Sequence, residues 1–239
     1  MNKSKTLLFS LVLLFLFVGS VFGEEPEVKK EYWENGKLKS ETPHNGLGTS
    51  WYENGNKMWE VLFKNGKEEG LGTYWYYSGE KESEVLFKNG KEEGLKTRWY
   101  KTGEKMTELF YKNGKKDGLI TRWYKTGEKM YELPYKNGKK DGVYKNWYIS
   151  GRKKIREQHK NGKKDGLKTS WYKSGEKEFE IHYKNGKKDG VYKEWYKSGK
   201  KLFLKHYKNG KENGIRKEWD DNGKLLYEGN YVDGVEEIK

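Results

Sequence analysis

Residues 94–118 read GLKTRWYKTGEKMTELFYKNGKKDG. In the first run, Leu95, Thr97 and Trp99 alternate with Lys96, Arg98 and Tyr100. In the second, Thr107, Leu109 and Tyr111 alternate with Met106, Glu108 and Phe110. Period-two alternation over short runs bounded by Gly predicts strands. A helix would need apolar spacings of three and four, and its Gly content would break it. The stretch therefore predicts a β-hairpin.

The same pattern recurs every 24 residues. Trp stands at 51, 75, 99, 123, 147, 171, 195 and 219. Three Gly series keep the same step, one after the Trp, one in Asn-Gly and one opening each unit, as at Gly103, Gly114 and Gly118. Trp33 begins a shortened unit six residues short of the period. A drift-free register over eight units predicts a repeat array. The expected fold is all-β: an elongated single-layer antiparallel meander of tandem 24-residue hairpins. Each unit adds two strands, or roughly 10 Å, so eight units give a ribbon about 80 Å long and about 23 Å wide.

Aligning the second strands gives three columns, through Thr107, Leu109 and Tyr111. The expectation is that they share one apolar face with the Trp column and with Leu71, Leu95 and Leu119. The opposite face is expected to carry Glu60, Glu84, Glu108 and Glu132, with Arg98 and Arg122 nearby. A three-residue loop with a left-handed Gly103 is expected after the Trp, making a bulge. YKNGKKDG, which recurs at 111, 135 and 183, predicts an Asn-Gly turn, solvated lysines and a Gly that starts the next strand.

Composition changes the picture at two points. Charged residues make up 36% and apolar ones 33%, which alone suggests disorder. Ten Trp, nineteen Tyr and nine Phe argue against it, because rings bury a large area from few positions. Residues 1–23 read as a secretory signal: Lys3 and Lys5, an apolar run from Leu7 to Val18, then small residues. The alternative is an uncleaved N-terminal anchor. No Cys is present, which argues against lipid attachment and against disulfides. The expected organisation is a signal at 1–23, a linker at 24–30 and the repeat domain at 31–239. Localisation is then periplasm, cell surface or medium. The formal net charge is +14, which suits anionic lipid or envelope polymers. Export disfavours nucleic acid as a partner.

The unit DGLKTSWYKSGEKEFEIHYKNGKKDG resembles the MORN repeat variant, the second MORN family. The matching positions are Gly166, Trp171, Tyr172, Gly175, Lys177, Tyr183, Asn185, Gly186 and Lys187. The resemblance extends over about 31–239. Bacterial proteins built of this repeat are often labelled YwqK-like antitoxins, and the wider family is linked to phospholipid contact and protein scaffolding. The resemblance therefore implies a hairpin array that binds a partner. The export signal departs from a cytoplasmic antitoxin.

No catalytic constellation is visible, and no cofactor or metal is implied. His182 and His206 share a column in adjacent units, but no third ligand accompanies them. The Glu column reads as a solvated face with cross-strand Lys and Arg partners. Two binding surfaces remain. An aromatic face of Trp75, Trp99, Trp123, Trp147, Trp171, Trp195, Tyr111, Tyr135 and Tyr183 would take a protein partner, or a second copy. A lysine edge of Lys115, Lys116, Lys139, Lys140, Lys163, Lys164, Lys187 and Lys188 would track an anionic lipid or polymer. Each has a plainer alternative: aromatic self-packing for the first, solubility and edge protection for the second.

Overall fold

The computed structural model describes residues 28–238. The expected signal at 1–23 and the first residues of the expected linker lie outside them. The first strand, Val28–Tyr32, already begins at Val28, inside the expected linker. The described residues form one open sheet of 23 antiparallel strands with no helix. Each strand pairs with its neighbours in the chain, as in Lys91–Trp99 with Lys81–Lys88 before it and Lys105–Lys112 after it.

Both turns follow from backbone chemistry. In the Asn-Gly turns, Asn113 has φ 51° and Gly114 has φ 75°. Two successive left-handed residues make the two-residue turn whose twist matches the strands it joins. The loop after each Trp has three residues. Gly103 N–H donates to Tyr100 O at 2.9 Å, Tyr100 N–H donates to Glu104 O at 2.9 Å, and Gly103 has φ 94°.

The assignment of faces needs correction. A second bulge follows the loop. Trp99 pairs with Lys105 but Arg98 pairs with Thr107, so Met106 is an extra residue on its strand. One extra residue exchanges the faces of everything beyond it. The Trp column and the Leu95 column therefore share a face with Glu84 and Glu108. Arg98 and Arg122 share the other face with Thr107 and Tyr131. This shift recurs in every hairpin, as at Tyr74/Trp75 and Ser170/Trp171.

The core lies on the Thr107 face. Val61, Val85, Leu109, Ile120, Leu133 and Ile181 are buried there. Among the described residues no second layer covers them, so the sheet's own large side chains do. The Phe63 and Phe87 rings lie over Gly48 and Gly72, where an added Cβ would fall 2.5 and 2.8 Å from ring carbons. Phe179 stacks near Tyr192, at 6.1 Å between centroids.

On the opposite face, a line of paired side chains runs beside the Asn-Gly turns. The pairs are Leu47 with Leu62, Leu71 with Leu86, Leu95 with Phe110 and Leu119 with Pro134. The Gly that opens each unit seats the previous strand's side chain. At Gly118, φ is 135° and a Cβ would fall 2.9 Å from Phe110 Cβ. Gly118→Ala combines backbone strain with that clash and is expected to cost about 1–3 kcal/mol. Gly103→Ala meets no atom within 4 Å. Urea melts of the two variants, run side by side, should show the larger loss at Gly118; equal losses would remove the seating argument.

Candidate functional site

The Trp column is built into the fold. Each Trp is half-buried. In six units a Lys ammonium lies over the Trp of the following unit, from Lys57 over Trp75 to Lys201 over Trp219, at 5.5–5.8 Å from the ring centroid. The same Lys often pairs with a Glu three residues on, as in Lys81 with Glu84, Lys105 with Glu108 and Lys177 with Glu180.

The residue after each Trp does structural work that the alternation pattern did not reveal. Seven Tyr hydroxyls, from Tyr52 to Tyr196, donate to the backbone carbonyl of the next unit's Trp at 2.7–2.9 Å. Burial pushes the Tyr52, Tyr76, Tyr148 and Tyr172 hydroxyls above the ordinary phenol value. The signal was present in the sequence as an unbroken Tyr column at the 24-residue step. Tyr100→Phe keeps the ring but leaves Trp123 O without its donor. It should cost about 0.5–1.5 kcal/mol in a urea melt, and no loss would make the ladder incidental.

Tyr111, Tyr135 and Tyr183 do not join the Trp column. They pair with Gly94, Gly118 and Gly166 on the core face. Lys116 lies over the Tyr135 ring at 5.4 Å and Lys164 over Tyr183 at 5.1 Å. The nine aromatic candidates are thus divided between two faces and largely occupied by the protein's own cations.

The lysine edge divides as well. Lys116, Lys140, Lys164 and Lys188 are half-buried and turn toward the core face, whereas Lys115, Lys139, Lys163 and Lys187 are exposed. The exposed four stack along the edge, each against the Gly of the next turn, as Lys115 against Gly138 and Lys163 against Gly186. None of the four forms an ion pair among the described residues. Their spacing is fixed by backbone stitches. Gly138 N–H donates to Lys116 O at 2.7 Å, and Asn137 N–H donates to Asp117 Oδ2 at 3.3 Å. The same two bonds recur at Gly162 and Asn161, and at Gly186 and Asn185. In this way the Asp of YKNGKKDG locks the next turn beneath the lysines.

Toward the C-terminal end the edge opens into a groove of about 730 Å³. Lys163, Lys184, Lys187 and Lys208 line it with His206, and Asp189 is the one acidic lining residue. Asp189 is engaged by Asn209 N–H at 3.1 Å. His206 Nδ1 lies 2.8 Å from Ile215 O. Four ammonium groups around one hydrogen-bonded carboxylate suit a phosphate- or carboxylate-bearing ligand.

One unit departs from the repeat at two core-face positions. Glu157 stands where five units have Val, Leu or Ile, with Lys205 and Gly229 the other exceptions, and His159 stands where the other units have Tyr or Phe. Both are buried. His159 Nε2 lies 2.8 Å from Glu157 Oε1, and Lys164 and Lys168 lie 3.0 and 3.4 Å from Oε2. Burial alone would raise the Glu157 carboxyl, but the hydrogen bond and charge of Lys164, with Lys168 and His159, bring it below the ordinary value. Burial depresses the His159 imidazole, against the pull of Glu157. His159 Nδ1 is buried with no hydrogen-bond partner. The folded protein therefore prefers neutral His159. That stability is present above the unfolded His value, about 6.5, and is lost as pH falls below it. The Tm should drop between about pH 7 and 5 in the wild type, and His159→Tyr should flatten that step; an unchanged step would place the titration elsewhere.

Among the described residues no group of three or more His, Asp or Glu could hold a metal ion. No described helix is long and apolar enough to cross a membrane.

Five stretches, 28–45, 116–137, 164–185, 188–209 and 212–233, match the MORN repeat variant. No curated protein matches the sequence. Among solved structures, the chain is similar at 10% identity to the crystal structures of TcdB2-TccC3 and of TcdB2-TccC3-Cdc42. The TM-scores are 0.22 and 0.21, over 85% and 87% of this chain. The chain spans 14% of the length of each of those chains. The five matched stretches fall on tandem hairpins of the open sheet, so the repeats matched in this chain are those of the MORN repeat variant.

Proposed function

We propose that the chain is a non-enzymatic binding scaffold whose lysine-rich turn edge tracks an extended anionic ligand. The observation that carries this reading is the exposed series Lys115, Lys139, Lys163 and Lys187. It is unpaired among the described residues, spaced by backbone stitches, and continuous with the groove at Lys184 and Lys208. Residues 94–213 carry 34 Lys and Arg against 14 Asp and Glu, so the surrounding field has the same sign. Repetition at roughly 10 Å suits a polymer or a charged surface better than a single small ion. Export through the segment 1–23 would bring this edge to anionic lipid headgroups and envelope polymers.

The reading in which a protein docks on the Trp column, including an antitoxin-like role, has less support. Those rings are half-buried and most lie under a Lys of the preceding unit.

The test compares vesicles containing phosphatidylglycerol with soluble polyphosphate as probes of the full chain. Replacing Lys139, Lys163 and Lys187 by Glu should weaken binding at least about tenfold and reduce its salt dependence, because exposed charge contacts are screened. Binding to vesicles alone names a surface, and binding to polyphosphate as well names a polymer. Binding that survives both the triple variant and high salt would overturn the proposal.

A further inference from the structure

A buried polar side-chain atom ordinarily has a hydrogen-bond partner, and one without it calls for an explanation. Among the described residues four such atoms have none: Arg122 Nε, Asn146 Oδ1, His159 Nδ1 and Arg216 Nε. Two have an account within the chain. His159 belongs to the Glu157 cluster, and the Arg216 guanidinium lies 3.9 Å from Glu212 and 3.8 Å from Glu218. The other two stand together. Arg122 pairs with Tyr131, and Tyr131 pairs with Asn146 on the next strand, so the three form one row across the core face.

The repeat shows what Arg122 lacks. Arginine occupies this column in only two units, at Arg98 and Arg122. Arg98 Nη2 donates to Glu82 Oε1. In the next unit Met106 stands in the place of Glu82, and Arg122 has no ion pair among the described residues. Elsewhere in the column Ser50 Oγ donates to Lys39 O at 2.7 Å, Ser170 Oγ donates to Glu178 Oε2 at 2.6 Å, and Glu194 accepts from the Tyr192 hydroxyl. Arg122 and Asn146 thus offer a donor fork and an acceptor, about 10 Å apart along the row, on either side of a Tyr ring. Tyr144 lies against that ring at 6.0 Å between centroids. All four residues are half-buried, on a face that no second layer covers among the described residues.

We propose that this row binds an acidic sugar, one uronate unit of a glycan. The uronate carboxylate meets Arg122, whose planar fork presents it with two parallel N–H donors. The sugar ring lies over Tyr131, where the negative face of the aromatic ring favours its C–H hydrogens. A hydroxyl on the far side of the sugar donates to Asn146 Oδ1. An acidic peptide fits less well, because extended peptides bind sheets by adding a strand at an edge. Here the strands Gly118–Trp123 and Lys129–Lys136 are paired on both sides, so a peptide finds no free ladder to join. The row shares no residue with the lysine edge or its groove, and the two sites stand or fall separately.

Isothermal titration of the full chain with trigalacturonate at physiological salt tests the proposal, with neutral galactotriose and inorganic phosphate as comparison probes. Trigalacturonate should bind at least about tenfold tighter than either. Met106→Glu gives Arg122 the partner that Arg98 has, in a place where Glu82 and Glu178 already stand. It should weaken trigalacturonate binding at least about tenfold while the Tm holds or rises. Arg122→Lys keeps the charge but not the fork and should weaken binding by about as much. Replacing Lys139, Lys163 and Lys187 by Glu should leave it unchanged. No binding of trigalacturonate by the wild type, equal binding of galactotriose or phosphate, full binding by folded Met106→Glu, or a loss confined to the lysine-edge variant would each overturn the proposal.

Discussion

A sheet one layer thick has nothing to pack against, so each repeat must be held by the repeats beside it. Everything else in the molecule follows from that constraint. Ladder hydrogen bonds join the strands, but they are shared by any sheet. The additional cohesion comes from side chains that reach one unit forward: Tyr hydroxyl to Trp carbonyl, Lys over Trp, and Asp to the next turn's Asn N–H. These three contacts lie along the loop edge, the Glu face and the Asn-Gly edge. Together they couple each unit to its neighbour at three places across the ribbon, giving a nearest-neighbour stability. They also account for the high aromatic content without a second layer. The rings bury the core face and anchor the opposite one, while lysine stems and ammonium groups cover what the rings leave open.

The turns, the strand period and the array were legible because each depends on residues with few substitutes. Asn-Gly marks a pair of left-handed residues, and the Gly after each Trp marks a third. The faces were not legible. The extra residue at Met106 carries no turn chemistry: Glu82, Met130, Lys154 and Glu178 fill the equivalent place in other units. A bulge that accepts any side chain leaves no mark in composition, yet it moves a whole column across the sheet. The consequence was specific. Trp99 and Tyr111 were expected on one aromatic platform, and the bulge puts them back to back. The lysine edge was legible as a row of charges. Its division into exposed and ring-bound halves was not, because that depends on which way each turn residue faces.

Since all the units share one backbone, differences in function must come from departures from the repeat. These departures are grouped. The acidic excess belongs to residues 46–93 and the Lys excess begins at residue 94, whereas the paired apolar seats run on to Leu119–Pro134 before polar seats replace them. The change of seat falls within residues 142–165, where Gln158 first takes the seat over an opening Gly and where Glu157 and His159 interrupt the core face. A buried carboxylate with two lysines and an imidazole replaces simple apolar contact there. Breaking such a cluster by removing one partner costs more than the cluster contributes, because a charge is left buried.

That placement matters in a quasi-one-dimensional fold. A weak interface at the end of such an array frays one unit, whereas a weak interface in the middle separates two blocks that can each remain folded. Acidification acts on the middle, because the imidazole that prefers to be neutral sits beside the carboxylate that prefers to be charged. Protonating His159 gains a charge attraction to Glu157 but brings a third cation toward Lys164 and Lys168, and burial opposes it. The unit that divides the paired apolar seats from the basic groove is therefore also one whose cohesion depends on pH.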